Sequence, residues 1–150
     1  MTKKERNKSN DTAKLRSRIM RAVGSKATSC ERAVRDCLRP LGLRMRYNVA
    51  SLPGKPDIVI PSLKFAIFVH GCFWHGHGCK RGARAPKTNA AYWTAKIAGN
   101  RARDRRNAAA LRRAGWSVIS IWECDSGRVR KRKLKALQEQ NAGRKVTGLR

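Results

Sequence analysis

The chain has 150 residues and a hydrophobic fraction of 41%, which fits one domain with one modest core. Its 36 Lys and Arg against 9 Asp and Glu give a formal net charge of +27, and because this excess is spread along the whole chain it favours nucleic acid over a membrane as the partner. The absence of any ~20-residue apolar stretch or secretion signal predicts a cytoplasmic protein, whose cysteines would be metal ligands or buried thiols.

The first part of the chain predicts a disordered segment and two helices. Residues 1–11 are polar and show no apolar periodicity, whereas apolar residues recur at helical spacing over residues 15–23. A second helix is predicted over residues 29–38. Thr28 and Glu31 have the spacing of a capping box at its start.

The rest of the chain predicts a sheet with further helices. The strands are expected at residues 43–49, 57–60, 65–69 and 117–122. A long helix is predicted over 90–114, with Gly99 as the candidate point for a break, and a last helix around Leu134 and Leu137. Strands flanked by helices on both sides in sequence predict an α/β sandwich around a mixed sheet. The expected organisation is a disordered basic segment at 1–11, one domain at 12–141 and a flexible tail at 142–150.

Residues 69–79 hold all three histidines of the chain and two of its five cysteines. Zn²⁺ in structural sites prefers four tetrahedral nitrogen and sulfur ligands. The three candidate ligands on this loop and a fourth beyond the last strand are Cys72, His77, Cys79 and Cys124. His75 is an alternative to His77, and Cys124 is alternatively a packed thiol. Cys30 and Cys37 lie on one predicted helix face and are expected to be buried thiols.

A second constellation surrounds the start of the 57–60 strand. Asp57 follows a turn and opens this strand, and the next strand ends at Val69 and His70. Side by side, these strands would bring the carboxylate, the Val69 carbonyl and the imidazole to one edge. Mg²⁺ binds oxygen ligands that include one or two carboxylates, and a neutral histidine nearby can deprotonate an attacking water. Asp57 is alternatively a residue that caps the turn.

Four blocks of sequence support a resemblance to a known family. They are SLPGKPD at 51–57, HGCFWHGHGC at 70–79, RDRR at 103–106 and GWSVISIWEC at 115–124. With them the chain resembles the very-short-patch repair endonucleases, bacterial enzymes that nick DNA at T:G mismatches. The resemblance implies a restriction-endonuclease-like three-layer sandwich with a structural zinc site. It also implies Mg²⁺-dependent hydrolysis of one phosphodiester 5′ to the mismatched thymine.

The resemblance further implies roles for individual residues. Asp57 and the Val69 carbonyl would hold the catalytic Mg²⁺, His75 would be the general base for water, and His70 would contact the scissile phosphate or the leaving group. The acidic residues that would support this active site are Glu31 and Asp104. The structural Zn²⁺ ligands would be Cys72, His77, Cys79 and Cys124. The residues that would intercalate into the DNA are Phe73, Trp74, Trp93 and Met20.

Structural alternatives exist for several of these roles. Glu31 is alternatively the capping-box acid, and Asp104 a local salt-bridge acid among arginines. Phe73, Trp74 and Trp93 are alternatively core residues. At the level of the whole protein, the alternatives are a non-catalytic, zinc-stapled nucleic-acid-binding protein and a nuclease for another distorted duplex. The expected partner is double-stranded DNA with a T:G mismatch, bound by a monomer in the bacterial nucleoid, with repair-pathway proteins as further partners.

Overall fold

The computed structural model describes residues 28–84 and 88–147, with side chains to residue 144. The helix predicted over residues 15–23 lies outside the described residues, as does Met20. The described helices and strands are α1 (Ser29–Leu38), β1 (Arg46–Tyr47), β2 (Ile58–Ile60), β3 (Phe65–His70), α2 (Ala90–Arg113), β4 (Ser117–Trp122) and α3 (Gly127–Thr147).

The four strands form one mixed sheet in the order β1-β2-β3-β4. The two pairs β1–β2 and β2–β3 are antiparallel, and β3 runs parallel to β4 with His70 opposite Trp122. The predicted α/β class with a mixed sheet is thereby confirmed. Because of these directions, the start of β2 and the final residues of β3 and β4 meet at one end of the sheet, which we call the Asp57 end.

The two faces of the sheet are covered by different helices. Alternate residues of a strand point to opposite faces. One face packs against α1 and α3 in a core that includes Val34, Ile58, Ile67, Ile121 and Leu134. The opposite face, which carries Phe68, His70, Ser120 and Trp122, lies against α2, with a cavity between them.

The start of α1 has the predicted capping box. The Thr28 hydroxyl accepts a hydrogen bond from the Glu31 backbone N–H at 3.2 Å and contacts the Glu31 carboxylate at 3.3 Å. This pairing satisfies one of the backbone donors that have no partner in the first turn of a helix. It also fixes Glu31 close to the Asp57 end of the sheet.

The helices and strands differ from the sequence-based expectation in three respects. The strand predicted over 43–49 contains only the two paired residues of β1. Its partner β2 lies between Pro56 and Pro61, which lack the N–H that a longer ladder would need. Gly99 does not break α2, because a single glycine weakens a helix by only about 1 kcal/mol. The last helix continues to Thr147, past the predicted boundary at 141.

Within the described residues, none of the helices combines the length and the apolar character needed to cross a bilayer.

Candidate active site

A cavity of about 890 Å³ lies between α2 and the sheet. Several of the residues singled out from the sequence line it: Asp57, Val69, His70, His75 and Asp104. They come from the start of β2, the end of β3, the loop that follows it and the middle of α2. The structure therefore brings the two predicted strand ends and the predicted base into one open space.

Asp57 is fixed in this cavity by the neighbouring strand. Its Oδ2 accepts a hydrogen bond from the backbone N–H of Val69 at 2.7 Å. Burial raises the pKa of this carboxyl, and the nearby charge of Glu31 raises it further. Within the described parts of the chain no Lys, Arg or His forms an ion pair with Asp57. A half-buried carboxylate without a cationic partner has the electrostatic character of a cation site.

Glu31 does not line the cavity, but its charge acts on Asp57. The carboxylate is 14% exposed and lies 3.7 Å from the Arg35 guanidinium. The structure shows the Glu31 carboxylate in contact with the Thr28 hydroxyl at the start of α1, and its charge acts on the predicted metal ligand Asp57. Both readings of Glu31 from the sequence are compatible with this position.

His75 and Asp104 form a close pair across the cavity wall. The distance between His75 Nδ1 and Asp104 Oδ2 is 2.5 Å. An ionised carboxylate only accepts hydrogen bonds, so Nδ1 is the donor in this contact, and the neutral form of the ring has its lone pair on Nε2. The loop is tied to α2 a second time, because the Asn100 side-chain amide donates to the Trp74 carbonyl at 2.8 Å.

His70 lies next to this pair. Its ring centroid is 4.3 Å from that of His75, and the side chain is almost wholly buried. Burial lowers the pKa of His70 to about 4, with a further contribution from the neighbouring His75. The imidazole is therefore neutral at pH 7, which suits a group that donates one hydrogen bond rather than one that carries a charge.

The predicted zinc ligands form a second cluster beside the first. Cys72, His77, Cys79 and Cys124 each offer one donor atom, and these four atoms lie within 4.8 Å of one another. This donor set suits Zn²⁺. A hydrogen bond from His77 lowers the pKa of Cys79 to about 6, whereas burial and the neighbouring Cys72 and Cys79 raise the pKa of Cys124 to about 12. At Gly82 the loop passes so close to His77 that a Cβ would lie 1.9 Å from the His77 carbonyl oxygen.

The other two cysteines do not belong to that cluster. Cys30 is buried and Cys37 is half-buried, and both contact the core. Burial raises the pKa of the Cys30 thiol, which keeps it protonated and unreactive.

The predicted intercalating residues form one aromatic cluster. The ring centroids of Phe73 and Trp74 are 5.2 Å apart, and Trp93 lies 5.8 Å and 5.7 Å from them. All three side chains are partly exposed, and none belongs to the hydrophobic core. The structure therefore places these aromatics on a half-exposed loop and helix start, where a core role does not account for them.

Sequence reasoning missed one aromatic residue that joins the two clusters. The Trp122 ring stacks on His77 at 4.2 Å between centroids and lies 5.0 Å from the ring of His70. Its position two residues before the candidate ligand Cys124 was the signal in the sequence that could have revealed it. The tryptophan thus contacts a candidate metal ligand and a candidate active-site residue at once.

The basic residues around the cavity were also missed. The lining includes five cations, which are Lys55, Arg101, Arg103, Arg105 and Arg112. Four of them lie on α2, which carries no strong apolar stripe that would have indicated the face turned to the sheet. The cavity therefore combines a half-buried carboxylate, two histidines and a strongly cationic wall, an arrangement suited to a phosphodiester.

Comparison with known proteins gives consistent matches. A family model described as DNA mismatch endonuclease Vsr matches residues 7–81, a range that contains Asp57 and the 70–79 loop. The type II nicking enzyme V.XorIIP of Xanthomonas oryzae pv. oryzae is 51% identical over 107 residues, which cover 71% of this chain and 78% of that protein. The DNA mismatch endonuclease Vsr of Escherichia coli is 42% identical over 109 residues, covering 73% and 69%. The type II nicking enzyme V.NmeAIP of Neisseria meningitidis is 43% identical over 114 residues, covering 76% and 81%.

Proposed function

This chain belongs to the family of DNA mismatch endonucleases called Vsr, and on that basis we propose that it nicks duplex DNA 5′ to the mismatched thymine of a T:G pair. The reaction would be Mg²⁺-dependent hydrolysis of one phosphodiester during very-short-patch repair. The observation that carries the proposal is the meeting of Asp57 with the His75–Asp104 pair in one cationic cavity.

The donor set at the Asp57 end suits Mg²⁺. Asp57 offers a carboxylate without a cationic partner among the described side chains, and the Val69 carbonyl beside it would supply a second oxygen. When bound there, the ion would stabilise the negative charge that develops on the phosphate. The Val69 N–H holds the carboxylate in place, so little side-chain freedom would be lost on metal binding.

The two histidines would divide the remaining chemistry. His75 Nε2 would take a proton from the attacking water as the water oxygen bonds to phosphorus and the bond between phosphorus and the leaving oxygen breaks. Asp104 keeps the ring in the required tautomer and stabilises the imidazolium that forms. The neutral His70 would contact the scissile phosphate or the leaving oxygen, and Glu31 would support the site through its charge next to Asp57.

The second cluster would hold a structural Zn²⁺ through Cys72, His77, Cys79 and Cys124. A metal at this position would join the 72–79 loop to the region that follows β4, and so hold His75 in place against α2. The same loop carries Phe73 and Trp74, which with Trp93 and the N-terminal Met20 would wedge into the base stack. Unstacking costs less at a mismatch, which would contribute to selectivity.

The wider setting of this function is also proposed. The order of strands and the two helical layers are compatible with a restriction-endonuclease-like three-layer sandwich. The protein would act as a monomer on bacterial DNA in the cytoplasm, with repair-pathway proteins as later partners. Family membership argues against a non-catalytic nucleic-acid-binding protein, because the family is one of endonucleases.

The test is single-turnover nicking of labelled duplexes that differ only in one base pair. We expect one nick, 5′ to the thymine, in the T:G duplex with Mg²⁺, and none in the T:A duplex or after removal of Mg²⁺. Equal cutting of T:G and T:A duplexes would refute mismatch specificity. Preferential cutting at another mismatch would instead identify a nuclease for a different distorted duplex.

A further inference from the structure

The exposed side of α3 carries a row of positive charges that the proposed mechanism does not use. Residues 128–135 contain six Lys or Arg and no acid. The exposed ones are Arg128, Lys131, Arg132 and Lys135, which we call the α3 stripe. Their spacing of i, i+3, i+4 and i+7 puts them within an arc of about 100° on an α-helix, over a length of ~10 Å.

The inward side of the same helix explains why the stripe points outward. Lys133 donates to the Asp125 carboxylate at 2.6 Å, and the Arg130 guanidinium donates to the Asp125 carbonyl at 2.8 Å. The same carboxylate accepts the backbone N–H of Trp122 at 2.8 Å. These contacts fix the first turns of α3 to the end of β4, directly beside the cavity. The stripe therefore begins at the Asp57 end of the sheet, on the face opposite the cavity.

The stripe has few internal partners. Across the described segments no carboxylate pairs with Arg128, Lys131 or Arg132, and Lys135 has only the exposed Glu139 at 3.5 Å. Like charges at these helical spacings repel each other, so the arrangement is unfavourable for folding. An extended polyanion would remove that repulsion. Duplex DNA offers about six phosphates over ~10 Å of its axis, counting both strands.

We propose that the α3 stripe binds the phosphate backbone of duplex DNA on one side of the cleavage site. This surface lies on the opposite face of the sheet from the arginines of α2, so it would extend the footprint beyond the cavity. Contacts to phosphates carry no sequence information, so the stripe would contribute affinity and register but no mismatch selectivity. The inference rests on the proposed function only in that DNA is the ligand.

The experiment measures the affinity of the full chain for T:G and T:A duplexes over a range of salt, in magnesium-free buffer. The stripe variant carries Arg128→Gln, Lys131→Gln and Arg132→Gln. The control variant carries Arg44→Gln, Lys64→Gln and Arg113→Gln. The control loses the same charge from exposed residues at the other end of the sheet, just before the starts of β1, β3 and β4.

A plot of log affinity against log salt has a negative slope. The loss of three phosphate contacts should reduce the magnitude of this slope by about 2.7, at about 0.9 for each contact. A fourfold rise in salt would then weaken the stripe variant about 40-fold less than the wild type. The ratio between T:G and T:A affinities should stay unchanged, and the control should lose less than one unit of slope. Shortening the duplex from one flank only should abolish the difference between wild type and stripe variant.

Three results would overturn the inference. They are an unchanged slope in the stripe variant, an equal loss in the control, and a difference that persists after shortening either flank. If the triple variant fails to fold, Arg132→Gln alone should still lower the slope by about 0.9. The binding experiment does not depend on nicking. If the stripe variant shows the loss of slope but the wild-type chain does not nick the T:G duplex in the separate assay, the proposed function is refuted and this inference stands.

Discussion

Replacement of Asp104 by Asn tests the pairing between the helix and the candidate base. The change keeps the size of the side chain but removes its charge, so the 2.5 Å contact with His75 Nδ1 loses its ionic character. The amide can also turn its NH₂ group towards Nδ1, which would place the proton on Nε2 and abolish the base. The expected effect is on the rate of nicking rather than on DNA binding.

The size of the effect follows from the position of the pair. General-base catalysis contributes about 10²- to 10⁴-fold to a rate. Asp104 keeps 27% of its side chain exposed, so water replaces part of the lost interaction. We therefore expect a loss of about 10²- to 10³-fold, or about 2.7–4 kcal/mol in the barrier at 1.36 kcal/mol for each factor of ten.

The assay is single-turnover nicking of a T:G duplex, with affinity measured separately. Asp36→Asn is the matched control, because it removes the same charge from an exposed ion pair with Arg39 on α1. The double variant His75→Ala with Asp104→Asn should be no slower than His75→Ala alone, since the acid acts through the histidine. An Asp104→Asn enzyme that nicks within twofold of wild type would refute this reasoning, and so would an equal loss in the control.

Three other substitutions test the neighbouring clusters. Cys124→Ser should lower both the bound zinc and the midpoint of thermal unfolding. The control Cys37→Ser should leave the zinc content unchanged. A full zinc content in Cys124→Ser would remove Cys124 from the ligand set. Phe73→Ala should reduce nicking at T:G by about 5- to 160-fold, because the lost stacking is worth ~1–3 kcal/mol; unaltered nicking would argue against a wedge. Trp122→Ala should weaken both metal retention and nicking. Trp122→Phe keeps a ring between the two clusters and should preserve most of both properties. If Trp122→Ala loses only one of the two properties, Trp122 does not couple the clusters.

The parts of the site that follow from strand order could be predicted from the sequence. Asp57 opens one strand and His70 closes the next, so an antiparallel pairing brings them to the same end of the sheet. Three of the four candidate zinc ligands share one short loop, where the spacing along the chain restricts the geometry closely, and Cys124 was predicted from its place just beyond a later strand.

The parts that depend on helix rotation could not be predicted in the same way. The face of α2 that lines the cavity is set by tertiary packing, because this Ala- and Arg-rich helix has no distinct apolar stripe. Asp104 was assigned with the help of the resemblance, and Arg101 and Arg105 were missed. The short β1 also escaped prediction, since the prolines that limit it flank its partner strand.

The most direct measurement of the central claim is the nicking rate of Asp57→Ala and of His75→Ala on one T:G duplex with Mg²⁺, alongside the affinity of each for that duplex. If both side chains act on the same phosphodiester, each variant should lose nicking by at least about 10²-fold while binding the duplex within a few-fold of wild type. Nicking at the wild-type rate by either variant would contradict the account.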